Sequence, residues 1–262
     1  MALIKLRNVD LIVLKTNLCL IENINFEIEK GKKILVAGIN GAGKSTLFKA
    51  LLDYKGIDEE RYAKLTNGQI IFDESLDREN LNKNIINIMQ EDYLSLPFKK
   101  VENVLKDVIS QDIKDKNKYF KNWIERYKPL IEDDIRKNLL KKRIYSLSGG
   151  EKKFVALLKG LVRCDDPNVK LALIDEPINN LDAKHIIQFS DLLSRIQYFN
   201  QDLSFVIITH CHAFPVIDVA YEVSNGKFNI VNYENHKCHN CFGKTNEGYY
   251  QNFMNPNPLN KN

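Results

Sequence analysis

The chain has 262 residues, 44% of them hydrophobic and 27% charged, with a net charge of +4. This composition allows a sizeable core and excludes a disordered or fibrous chain. No apolar run approaches the roughly 20 residues that cross a bilayer. The N-terminus lacks a secretory signal, the five cysteines lack the dense spacing of a disulfide scaffold, and the mild, interspersed charge makes no case for direct nucleic-acid binding.

Residues 19–28 (CLIENINFEI) alternate apolar and polar positions, which predicts antiparallel strands with one wet face over the first thirty residues. Lys30-Gly31-Lys32 is a turn. A short buried strand at 34–37 leads into a glycine-rich loop, followed by a helix at 47–54 and strands at 68–72 and 85–89. From about 101 to 142 apolar residues recur at helical spacing (Val101, Val104, Leu105, Val108; Trp123, Ile124, Tyr127), which predicts an inserted helical lobe with Phe120 and Trp123 in its core. Basic clusters at Lys99-Lys100 and 141–143 read as solvated helix faces. A helix follows Gly150 to about Val162, then a strand at 171–174, a helix at 183–198 and a strand at 205–209. Asn225-Gly226 between two apolar runs predicts a hairpin. The Asn- and Pro-rich tail, 243–262, reads as loosely ordered. With no internal repeat, the chain divides into one domain, 1–242, with the helical lobe at about 98–163, and that tail.

Gly38-Ile39-Asn40-Gly41-Ala42-Gly43-Lys44-Ser45-Thr46 fits G-x-x-x-x-G-K-[ST], between a buried strand and a helix. Glycines let the backbone wrap a phosphate and aim N–H groups inward, where the helix N-terminus adds positive potential. Lys44 then reaches the β- and γ-phosphates, and the Ser45 hydroxyl ligates Mg²⁺. Leu171-Ala172-Leu173-Ile174-Asp175-Glu176 is an apolar strand ending in two acids, expected beside the P-loop strand, with the acids at its carboxyl end. Asp175 is expected to hold Mg²⁺ and Glu176 to polarise an attacking water.

With these in place, Leu147-Ser148-Gly149-Gly150-Glu151 resembles the signature sequence of ATP-binding cassette (ABC) ATPases, and it lies between the glycine-rich loop and the acidic strand as in that family. Gln90 resembles the family's Q-loop glutamine, Asn180-Leu181-Asp182 its D-loop and His210 its switch histidine. The resemblance covers about residues 3–231. It implies an α/β fold: a P-loop NTPase core of mainly parallel sheet, an N-terminal antiparallel β subdomain and an inserted α-helical lobe. It implies ATP hydrolysis with Mg²⁺ at an interface between two subunits, most simply a homodimer. Gly38, Asn40, Gly41, Ala42, Gly43, Lys44, Ser45 and Thr46 of one subunit, with Ser148, Gly149, Gly150 and Asp182 of the other, would enclose the nucleotide. Ser45, Gln90 and Asp175 would hold the metal; Glu176, His210 and Gln90 would serve catalysis.

The resemblance also implies the nucleotide-binding subunit of a transporter, on the cytoplasmic face of the membrane through a separate permease that docks near residues 90–97. The alternative it leaves is a soluble cassette ATPase acting on a macromolecular assembly, of the translation or iron–sulfur type. Three departures stand out: no aromatic residue near Leu14-Lys15 for stacking adenine, Glu151 where glutamine is commoner, and Ile178 for threonine. Cys238 and Cys241, flanked by His236 and His239, have the spacing of half a zinc site; without a second pair they read as reduced surface cysteines.

Overall fold

The alternating N-terminal segment folds as β1 (Ala2–Val13) and β2 (Cys19–Glu29), which pair antiparallel. The computed structural model describes residues 1–53, 62–88, 97–136, 138–177, 183–210, 214 and 216–232. Strands β4 (Ala63–Thr66) and β5 (Gln69–Phe72) both pair antiparallel with β1 and complete a four-stranded sheet. One face of this sheet is buried, on Leu6, Val9, Leu11 and Phe26. The single strand expected at 68–72 is therefore preceded by β4, whose four residues (AKLT) are too short to show a period.

The second sheet has six strands in the order β10-β9-β3-β8-β7-β6. Strands β3 (Lys33–Gly38), β6 (Ile85–Ile88), β7 (Leu171–Asp175), β8 (Ser204–Thr209) and β9 (Val219–Ser224) run parallel; β10 (Lys227–Val231) closes the edge antiparallel. Every residue of β3, β7 and β8 is buried. Strands covered on both faces need continuous apolar runs, and KILVAG, LALID and SFVIIT supply them. One expectation is corrected here: β8 lies between β3 and β7, so the acidic strand is one strand removed from the P-loop strand. The β9–β10 hairpin turns at Asn225 (φ 49°) and Gly226 (φ 70°), the paired positive angles of a two-residue hairpin loop.

Helix α1 (Lys44–Leu52) follows the glycine loop directly, three residues earlier than the apolar spacing indicates. It is clamped between the two sheets by aromatic rings: Phe26 of β2 lies 5.8 Å from Phe48, 4.9 Å from Tyr221 and 5.0 Å from Phe228. Such pairs add about 0.5–1.5 kcal/mol each beyond the area they bury. The loop ahead of α1 is thus built on a rigid support.

The helical segment resolves into α2 (Val101–Asp107) and α3 (Lys116–Arg136), followed by α4 (Gly149–Leu161). Phe120 and Trp123 are buried and stacked, 6.5 Å apart, in a cluster that extends through α4 to the parallel sheet. Tyr127 donates to Asp165 (2.5 Å) and Arg126 donates to the same carboxylate (2.6 Å), tying α3 to the segment after α4. Helix α5 (Ala183–Phe199) covers the sheet on the same side. The 141–143 cluster is not an α-helix face: Lys141 ends a short 3-10 segment (Leu139–Lys141), and Lys141 and Arg143 are solvated as expected. Lys142 is bonded to Glu151, Arg143 donates to the Phe98 carbonyl, and Lys100 and Arg143 form an isolated bridge. Among the described residues, no helix is long and apolar enough to cross a membrane.

Candidate active site

The carboxyl edge of the parallel sheet gathers the candidate residues, because β3 ends at Gly38, β7 at Asp175 and β8 at Thr209. A Cβ on Gly38, whose φ is 149°, would sit 2.4 Å from the Val223 carbonyl of the neighbouring strand. Gly41 (φ 82°) and Gly43 (φ 93°) turn the loop into α1. Gly43 is the N-cap of that helix and has no side chain to cap it. The first-turn N–H groups therefore lack a side-chain acceptor, and no acid occupies that turn; both features favour an incoming anion. Lys44 is 5% exposed and donates to the Gly38 carbonyl (2.7 Å) and the Ile39 carbonyl (2.9 Å). Burial holds its pKa below the ordinary lysine value, against the opposing pull of Glu176 and Asp175. An ammonium so dehydrated, with two neutral carbonyls as its hydrogen-bond acceptors among the described residues, gains from a charged oxygen.

Asp175 and Glu176 are each 6% exposed. Among the described residues, Asp175 Oδ1 has no hydrogen-bond partner. A buried carboxylate oxygen without a donor is costly, and it is the donor atom a hard divalent cation takes. The residues present therefore fit Mg²⁺. Glu176 adopts φ 50°, left-handed for a residue with a side chain, held by its N–H donating to the Ile208 carbonyl (2.8 Å). That backbone costs on the order of 1–3 kcal/mol. Glu176 Oε2 lies 3.1 Å from His210 Nδ1, so the ring after β8 orients the acid after β7.

Ser148 is the N-cap of α4 in a reciprocal capping box: its hydroxyl accepts from the Glu151 N–H (3.2 Å), and its own N–H donates to Glu151 Oε2 (2.9 Å). Ser148 and Gly149 are exposed, and a Cβ on Gly149 would meet nothing within 4 Å. Within this chain an alanine would fit there and favour the helix. Among the described residues, no hydrogen bond or ion pair joins Ser148, Gly149 or Gly150 to the P-loop.

Of the remaining sequence candidates, Gln90, Asp182 and Ile178 lie outside the described residues, as do Cys238 and Cys241. Asn40, Ala42, Ser45 and Thr46 sit in the loop and the first turn of α1. Two residues escaped the sequence reading. Lys142 donates to Glu151 Oε1 (2.7 Å); its signal was the acid at 151, an extra charge that needs a counter-ion. Tyr62 is exposed, and its carbonyl accepts from the Leu14 N–H (3.0 Å). The fold thus sets an aromatic residue beside the stretch in which the sequence has none.

The family described as ABC transporter matches residues 21–179 of this chain. The Phosphonates import ATP-binding protein PhnC of Fusobacterium nucleatum is 31% identical over 180 residues, 68% of this chain and 71% of that protein. The Lipoprotein-releasing system ATP-binding protein LolD of Francisella tularensis is 30% identical over 232 residues, 83% of this chain and 90% of that protein. Among solved structures, cbiO1 of Clostridium perfringens, described as part of the ABC transporter complex cbiONQ, superposes with a TM-score of 0.64 at 23% identity, covering 88% of this chain and 87% of that one, and shows the shared fold.

Proposed function

The chain belongs to the ABC transporter family, and we propose that it is the subunit that binds and hydrolyses ATP to power a transporter, working as a dimer against a separate membrane permease. The observation that carries this reading is the convergence of buried Lys44, orphaned Asp175, strained Glu176 and His210 on one edge of the parallel sheet. The two relatives described above are transporter subunits by name, which does not favour the macromolecular-assembly reading. The cassette is assigned to residues 1–242, with the helical lobe at about 98–163.

In this reading Lys44 exchanges its two carbonyl acceptors for β- and γ-phosphate oxygens, while the amides at the start of α1 take the remaining phosphate charge. Asp175, with Ser45 and Gln90, would hold Mg²⁺, which when bound would supply positive charge to offset that of the phosphates. Glu176, oriented by His210, draws a proton from the attacking water. Ser148, Gly149 and Gly150 of the second subunit close on the γ-phosphate, with Asp182 linking the two sites. The permease is assigned to dock near residues 90–97, of which 90–96 lie outside the described residues. Next to that stretch in sequence, Phe98 (74% exposed) and Tyr145 (60% exposed) stand 5.9 Å apart, an apolar pair that invites cover. This arrangement puts the subunit on the cytoplasmic face of a membrane.

The test is Lys44→Ala with ATP titrated by calorimetry. A charge-assisted contact to buried phosphate is worth roughly 1.5–3 kcal/mol, so affinity should fall at least tenfold in a chain that stays folded. Unchanged affinity would contradict the assignment.

A further inference from the structure

We propose that Lys142 is a positioning residue for the signature: it cancels the negative charge that Glu151 brings to the anion-receiving end of α4. Ser148, Gly149 and Gly150 can then accept the γ-phosphate of an ATP held by a second subunit. The inference rests on the shared-site reading above and deepens it.

Glu151 uses both carboxylate oxygens: Oε2 accepts from the Ser148 N–H (2.9 Å) and Oε1 accepts from Lys142 Nζ (2.7 Å). Its pKa is held below the ordinary glutamate value, first by Lys142 and then by the Ser148 amide. Glu151 is therefore ionised at neutral pH, one turn from the residues proposed to meet a polyanion. A fixed like charge at that range opposes binding by roughly tenfold or more. The cap itself needs only an acceptor oxygen, which a glutamine would also supply, without charge. Lys142 makes the glutamate equivalent to that neutral acceptor.

Its backbone is fixed for the task. The Lys142 N–H donates to the Asn138 and Leu139 carbonyls (both 3.1 Å), and its own carbonyl accepts from the Val101 N–H (3.0 Å) at the start of α2. Both side chains remain about a quarter to a third exposed, which makes the pair a weak contributor to folding stability. Its effect is local, on the potential at the N-terminus of α4.

The test uses the Glu176→Gln chain, which should hold ATP and dimerise. Lys142→Met keeps the aliphatic stem and removes the charge. At low salt it should weaken ATP-driven dimerisation by about tenfold per site, hence up to about a hundredfold in the constant of a symmetric two-site dimer. The defect should shrink at high salt, since the repulsion is screened. Adding Glu151→Gln should restore dimerisation to within about threefold, and Lys142→Arg should behave as its parent. Circular dichroism confirms that each variant is folded, and ATP affinity of the monomer reports the P-loop separately. Parental dimerisation by Lys142→Met, or a loss that Glu151→Gln does not recover, would overturn the proposal. If the Glu176→Gln parent stays monomeric with ATP, or its dimer survives Ser148→Arg, the shared-site reading itself fails and this inference falls with it.

Discussion

Two glycines on α4 make a matched pair of probes, because the same substitution should act in opposite ways. A Cβ on Gly160 would lie 2.2 Å from Ile88 Cδ1 and 2.3 Å from Ile88 Cγ1, against the roughly 3.5–4.0 Å of an ordinary carbon contact. Ile88 is buried in β6, so relief of that overlap must shift α4 or force a new rotamer. Overpacking of this kind costs typically 1–3 kcal/mol, and here the overlap involves two atoms and points to the upper end. Alanine's advantage over glycine in a helix returns roughly 1 kcal/mol, which leaves a net loss of about 2 kcal/mol for Gly160→Ala. Gly149→Ala meets nothing within 4 Å and should be neutral or stabilising by up to about 1 kcal/mol. Yet its methyl group would stand between the phosphate and the amides of the second subunit, and loss of one such donor contact costs on the order of a hundredfold in rate. Urea unfolding and steady-state ATPase rates on the two variants decide the matter. The expected pattern is an unstable Gly160→Ala, and a Gly149→Ala that is stable but turns over at least about tenfold more slowly. Equal destabilisation of both, or full activity in Gly149→Ala, would refute the reasoning.

Asp73 accepts from Lys30 (2.8 Å) and from the Ser75 N–H and hydroxyl (2.9 and 2.6 Å), and these bonds, Lys30 first, hold its carboxyl well below the ordinary aspartate value of 3.8. A depressed folded pKa contributes stability above 3.8 that is lost as pH falls below it. Asp73→Asn should therefore be less stable than the parent at pH 7, with the gap holding down to about pH 4, narrowing only below it and still open at pH 3 in denaturant melts. Arg126→Ala should leave Asp165, which burial already pushes towards protonation, with the Tyr127 hydroxyl as its one side-chain donor among the described residues. It also removes the guanidinium 4.5 Å over the Phe199 ring. A loss of about 1–3 kcal/mol in urea unfolding is expected.

The glycine loop and the acidic strand were legible in the sequence, because there one residue type is the best solution to a local demand. Glycines with positive φ at 41 and 43 mark the loop, and a run as apolar as LALID ending in acids marks a buried strand. Strand neighbours were not legible: an apolar run records that a strand is buried and not which strand covers its edge, so β8 between β3 and β7 came only from the structure. Lys142 was hidden for a related reason. In sequence it belongs to a run of three cations, and only the turn at 138–142 aims one of them at Glu151. Gly160 carries no local signal at all, since its requirement comes from Ile88, far away in the chain. Tyr62 reaches Leu14 only through the β1–β4 register.

The central claim, that each active site is completed by a second chain, is tested most directly by light scattering of the Glu176→Gln variant. Removing the base while keeping its shape should slow hydrolysis by about 10²–10⁴-fold. ATP should then remain clamped between Lys44 of one chain and Ser148 of the other, and ligand bound across an interface stabilises the dimer by mass action. The account predicts a dimer with Mg-ATP, a monomer with ADP, and a monomer that still binds ATP when Ser148→Arg is added. A protein that stays monomeric at saturating Mg-ATP and at tens of micromolar chain, or a dimer that survives Ser148→Arg, would contradict it.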